Sequence, residues 1–149
     1  MFDRILVAID PNGSEREALR TAGALARSTG GAVRVLHVIP TAVAGDTVVR
    51  LEDDTEAATL LREAIDFLRT EGTEADGRLA RALTEMVPSA ISAAAEEYEA
   101  DLLVLSPRHR GAFAALLHPR VSDAVSHAST IAVLLAPEEP AREQTGNQR

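Results

Sequence analysis

The chain of 149 residues contains no cysteine, which excludes a disulfide frame, a thiol nucleophile and a thiolate metal site. Lysine is absent too, all fifteen basic residues being arginine, so Schiff-base chemistry and a Walker-type phosphate lysine are excluded. Aromatic residues make up only 3% and there is no tryptophan. A base-stacking platform is therefore not expected, and the core must be assembled from Ala, Val, Leu and Ile, which suits a sheet covered by helices of small residues. Basic charge is outweighed by acidic, giving a net charge of -8 and a pI near 5.0. Nucleic acids and anionic membranes need a basic face, so neither is an expected partner. No apolar run approaches the ~18 residues of a spanning helix. The opening MFDRILVAID leads directly into alternating apolar residues without a charged leader; the expected location is the cytoplasm.

With 46% hydrophobic residues, the chain can form one domain with a substantial core. That domain is expected over residues 1–137, with a polar, disordered tail over 138–149. Phe2 to Ile9 reads as a buried strand. PNGS after Asp10 is a turn signal leading into Ser14-x-x-Glu17, a capping-box pattern. The following helix places Ala18, Ala22, Leu25 and Ala26 on its inner face, and Gly30-Gly31 stops it before a second strand, Ala32 to Ile39. Pro40 to Arg50 has no clear period and is expected to be a loop. Ala57, Leu61, Ala64 and Leu68 then recur at helical spacing up to Gly72.

Ala75 to Leu83 alternates as a strand, and Val87-Pro88 opens a third helix with an inner stripe of Ile91, Ala94, Ala95 and Tyr98. Asp101-Leu-Leu-Val-Leu is the continuous apolar strand of a parallel sheet buried on both faces. Val121, Ala124, Val125 and Ala128 define a last helix, and Thr130 to Leu135 a final strand. Five strands alternating with four helices predict an α/β fold, an open, doubly wound parallel sheet with helices on both faces. Ligands in such sheets bind beyond the carboxyl ends of the strands. The loops concerned are Asp10 to Gly13, His37 to Pro40 and Ser106 to Ser122.

The segments ILVAID, RVLHVI, ADLLVL and VSDAVSHASTIAVLLAP, in this order and spacing, resemble the universal stress protein family over nearly the whole chain except the tail. The resemblance implies a five-stranded parallel sheet, dimers formed through the last strand, and a family in which some members bind ATP and others do not. In ATP-binding members the fourth parallel strand ends in glycine, two residues, glycine, nine residues, glycine and then serine or threonine. Those places fall here at Ser106, His109, Pro119 and Arg120, none of which matches. The resemblance does preserve Asp10, the family's acidic group at the ribose, and Val38, whose backbone would meet adenine. Glycine at Ser106 or His109 would let the backbone approach phosphates without a Cβ in the way. Pro119 has no N–H to donate and suits the start of a helix. Losing two charge-assisted hydrogen bonds would cost roughly 3 to 6 kcal/mol, a hundredfold or more in affinity.

Several side chains carry two readings. Arg108, Arg110 and Arg120, with His109 or His118, either form a cationic pocket in place of the glycine cradle or are solvated loop charges. Asp10 either binds ribose or caps its turn. His37 and His127 suit satisfied structural roles, and Asp53-Asp54 suits a helix N-terminus. No nucleophile with a base, paired acid and base, or metal cluster is visible, so no enzymatic activity is expected.

The resulting expectation is a universal stress protein-like homodimeric binding or regulatory module that does not bind ATP in the family manner and needs no cofactor, with an unidentified protein or small-molecule partner. The alternative is a sensor of an adenine or cyclic nucleotide held by Asp10, Val38, Ser106, Arg108, His109, Arg120 and Ser122. A weak nucleotide hydrolase is a third. The homodimer is expected to form through Thr130 to Leu135, since an apolar edge strand leaves unpaired backbone groups beside exposed Ile131, Val133 and Leu135.

Overall fold

A computed structural model describes residues 2–9, 16–106 and 131–136. Strand β1, Arg4–Ile9, is buried from Ile5 onward and lies at the centre of the sheet. It pairs in parallel with β2, Ala32–Ala44, from Arg4 opposite Ala32 to Ile9 opposite His37, and on its other side with β5, Leu102–Leu105. Strand β4, Glu74–Leu83, runs parallel along the outer edge of β2, and β6, Ala132–Leu135, runs parallel to β5. The five parallel strands therefore stand in the order β4-β2-β1-β5-β6, with the order reversing at β1.

Helices cover both faces. α1, Arg16–Thr29, buries Ala18, Leu19, Ala22 and Ala26, and α2, Asp54–Thr70, buries Ala57, Leu61, Ala64 and Leu68, all in a cluster with Ile5, Val7, Val33, Val35 and Val104. α3, Val87–Tyr98, buries Ile91 and Ala95 against Leu6, Ala8, Leu36, Val38, Leu103 and Leu105 on the opposite face. The alternation of β1 and β2 residues between the two clusters is the period-2 pattern of a strand buried on both sides. Gly30, at φ +75, ends α1 in the left-handed conformation that a Cβ would resist. The expected capping box at Ser14, the last helix and the tail lie outside the described residues.

The expected loop from Pro40 to Arg50 is instead a β-hairpin, and among the described residues the sheet has six strands rather than five. β2 continues through Pro40 to Ala44, turns over Gly45 and Asp46, and returns antiparallel as β3, Thr47–Arg50. Gly45 supplies the positive φ (+68) that a two-residue hairpin turn demands. Thr41 pairs with Leu83 of β4 and with Arg50 of β3, so β3 lies on the β1 side of β2, in line with β1 and beyond its carboxyl end. Pro40 is tolerated because its nitrogen, like its carbonyl, which accepts from Leu51 N at 3.0 Å, faces away from β4 and removes no donor from that ladder. The hairpin escapes a search for periodicity because all four β3 residues are exposed, leaving no buried face to set an alternation.

A second correction concerns the last strand. Of the three side chains expected to be exposed, only Leu135 is; Ile131 and Val133 are half-buried against the α3-face cluster. Thr130 lies outside the described residues.

Candidate functional site

The carboxyl ends of β1, β2 and β5 converge on one rim of the sheet. His37 stands opposite Ile9, the last residue of β1, and Ser106 follows Leu105, which stands opposite Ala8. His37 and Ser106 thus flank the end of β1, about two strand spacings or ~10 Å apart. Continued alternation from Val104 and Leu105 puts Ser106 on the α1/α2 face, which is also the face of His37.

His37 is fully buried, and its Nε2 lies 2.8 and 2.9 Å from the two carboxylate oxygens of Glu52. A carboxylate can only accept, so Nε2 carries the hydrogen and donates. The Glu52 side chain is itself 9% exposed, which makes this a buried pair on the rim. The neighbouring carboxylates are divided between other tasks. Asp53 caps α2 by accepting from Thr55 N and Glu56 N, both at 3.1 Å, at the helix N-terminus where the sequence led its charge to be expected. Asp54 accepts from Arg50 of β3 at 3.2 Å and from Arg81 of β4 at 3.0 Å. The run Glu52-Asp53-Asp54 therefore fastens the return leg of the hairpin to β2, α2 and β4. Among the described residues, His37 Nδ1 and Ser106 Oγ are buried without a hydrogen-bond partner.

The carbonyl of Val38 lies at a gap in the ladder. Ala32 N donates to Asp3 O, and Pro40 O accepts from Leu51, so the even-numbered residues of β2 aim their backbone polar groups toward β1. Pairing with β1 stops at His37 and pairing with β3 starts at Thr41. The Ile9–His37 pairing has Val38 N donating to Ile9 O, so among the described residues only the Val38 carbonyl faces the notch between the end of β1 and the returning Leu51, while its side chain is buried on the α3 face.

Of the residues singled out from sequence, the structure brings Val38 and Ser106 to this rim. Asp10, Arg108, His109, Arg110, His118, Arg120, Ser122 and His127 lie outside the described residues. Glu52 was missed. It lies fifteen residues from His37, and the pair comes together only through the hairpin that the sequence pattern concealed. Among the described residues no group of three His, Asp or Glu is placed to hold a metal, and no helix is long and apolar enough to cross a membrane.

The chain is similar to a universal stress protein from Archaeoglobus fulgidus solved in complex with dAMP, at 27% identity and a TM-score of 0.66, covering 91% of this chain and 98% of that one. A second structure of a universal stress protein from the same organism is 28% identical, with a TM-score of 0.64 and coverage of 92% and 100%. A universal stress protein in complex with cAMP is 22% identical, with a TM-score of 0.61 over 93% and 98% of the two chains, and agrees in fold. No curated protein matches the sequence. The sequence matches the model of the Universal stress protein family over residues 1–137, and with the β4-β2-β1-β5-β6 sheet and its two helical faces this places the chain in the universal stress protein family.

Proposed function

We propose that the protein is a homodimeric binding and regulatory module of this family that does not hold ATP in the family manner and catalyses no reaction. The observation that carries the reading is Ser106. It stands where the resemblance expects the first phosphate-loop glycine, and its side chain is fully buried at the end of β5. A buried Cβ and hydroxyl at that point deny the backbone the positive φ and the close approach that an anion cradle needs. The carboxylate of Glu52, held on the same rim by His37, adds negative charge where a polyphosphate would bring more. Purified protein should release no nucleotide when heat-denatured; ATP found in the supernatant by mass spectrometry would overturn the reading.

A second reading, an adenine-nucleotide sensor, is favoured by the Val38 notch and by the dAMP held by the relative that is 27% identical. Arginines of the Ser106 to Ser122 segment would then supply the phosphate contacts. If binding appears, Arg108→Ala and Arg120→Ala decide between the readings: each should lose about 1.5 to 3 kcal/mol in a rebuilt site and almost nothing for solvated charges.

For the homodimer, β6 offers the edge. Its outer side has no partner strand among the described residues, and Leu135 is 41% exposed. Two-fold pairing would satisfy the backbone and cover the side chain. Val133→Pro removes a ladder donor, so light scattering should show it as a monomer; a folded dimeric variant would place the interface elsewhere.

A further inference from the structure

Among the described residues, the outer side of β3 has no partner strand, which makes it a second edge, distinct from β6. Val48, 63% exposed, sits opposite Val43, 62% exposed, and β3 carries none of the lysines or prolines that commonly blunt an edge strand. The bond from Leu51 N to Pro40 O, with Ala42 opposite Val49, shows that the odd-numbered residues of β3 turn their peptide groups toward β2. The even-numbered Val48 and Arg50 therefore turn theirs outward. The ion pairs from Asp54 to Arg50 and Arg81 hold this leg in place, so the edge is presented ready-formed.

The sequence around Val48 reads Asp46-Thr47-Val48-Val49-Arg50, an acid and a base at equal distances on either side of a central valine. Reversing the segment maps it onto itself with the charges exchanged. Antiparallel pairing with a second copy, centred on Val48, therefore sets Asp46 of each chain against Arg50 of the other, and Thr47 against Val49. It also brings together the outward-turned peptide groups of the two Val48 residues, which the antiparallel ladder requires of a hydrogen-bonded pair. Shifting the centre to Val49 would set Arg50 against Val48 and lose both charge pairs. The Arg50 side chain is 56% exposed and its partner Asp54 is also held by Arg81, so Arg50 can share its guanidinium across the seam.

We infer that β3 is a homotypic interface: the edge Thr47–Arg50 pairs antiparallel with the same edge of a second copy, in the register that opposes Asp46 and Arg50. The inference is independent of nucleotide binding and concerns a different edge from β6. A chain with two self-complementary edges assembles beyond a dimer, into a closed tetramer if the two-fold axes meet at right angles and an open filament if they do not intersect.

Light scattering after size exclusion, on the full chain at micromolar concentration, tests it. Wild type should exceed twice the 15.8 kDa chain mass if both edges pair, and reach twice that mass if only β3 does. Val48→Lys should leave a dimer if both edges pair and a monomer if only β3 does, with an unchanged circular dichroism spectrum because Val48 is exposed. Asp46→Arg and Arg50→Asp should each weaken assembly at least tenfold in concentration, and the double reversal Asp46→Arg/Arg50→Asp should restore it. An assembly unaffected by Val48→Lys, or a wild-type monomer, overturns the inference. So does a double reversal that stays as dissociated as the single ones. Val133→Pro, run beside these, reports on β6 separately: loss of assembly with Val133→Pro but not with Val48→Lys leaves the β6 reading standing and removes this one.

Discussion

Removing Glu52 while keeping His37 should be among the costlier single changes near the rim. In Glu52→Leu the imidazole stays fully buried, its Nε2–H loses the acceptors at 2.8 and 2.9 Å, and Nδ1 already has no partner among the described residues. A buried donor left unmade costs about 1–3 kcal/mol. The fully buried ring cannot reach water, so about 2–3 kcal/mol is the working figure. The reverse truncation, His37→Leu, should cost less, about 1–2 kcal/mol, because a carboxylate at the sheet rim can swing toward water whereas the ring of His37 cannot. Replacing both partners removes the orphan along with the bond, so His37→Leu/Glu52→Leu should lie within ~1 kcal/mol of wild type. Urea denaturation of the four proteins at one fixed concentration gives the cycle, since assembly makes stability concentration-dependent. The coupling should favour the pair by ~2 kcal/mol or more. Additive single costs would refute the claim that this contact fastens the hairpin.

Three further outcomes follow from other contacts. Asp53→Ala removes both acceptor bonds of the α2 cap and should lower stability by about 1 kcal/mol in the same assay; an unchanged midpoint would show that the cap is dispensable. Asp76 is held below the usual carboxylate range, first by its hydrogen bonds from Arg34, at 2.9 Å on each oxygen, while Arg34 also lies over the Tyr98 ring at 4.3 Å. A depressed carboxyl contributes stability above its unfolded value of about 3.9 and loses it as pH falls through the lower folded value. Asp76→Asn should therefore reduce stability at neutral pH and flatten the acid-side loss. With the Asp76 side chain 55% exposed, screening holds the effect to ~1 kcal/mol or less; equal pH profiles would contradict it. Finally, replacing Ser106, His109 and Pro119 by glycine and Arg120 by serine, all together, should raise ATP affinity by roughly a hundredfold. Absence of any gain in a folded protein would show that the motif alignment is wrong.

The sequence was most informative where burial imposes a period. ILVAI and LLVL are apolar on both faces because helices cover both, and Ala57, Leu61, Ala64 and Leu68 mark α2 because one stripe packs on the sheet. Pro88 and Asp53 announce helix starts because each satisfies or omits a backbone donor that the first turn leaves over. The hairpin was illegible for the opposite reason. Val43, Val48 and Val49 are exposed, so no core dictates which of them alternate, and Gly45-Asp46 reads equally well as any turn. Missing the hairpin concealed Glu52, whose approach to His37 depends on the return leg. Glu52-Asp53-Asp54 looked uniform in sequence as helix-start charge, yet only Asp53 serves as the side-chain cap. Ser106 was found because its place after an apolar strand follows from the order of elements, whereas Val38, inside β2, was named only through the resemblance. That the carbonyl of Val38 faces the notch depends on ladder register, which composition does not encode.

The most direct measurement is calorimetric titration of the purified chain with ATP, with dAMP in parallel. A family member whose Ser106 closes off the backbone approach to phosphate should bind ATP with a Kd no tighter than roughly 100 μM. Low-micromolar ATP binding, stoichiometric with the chain, would contradict the account.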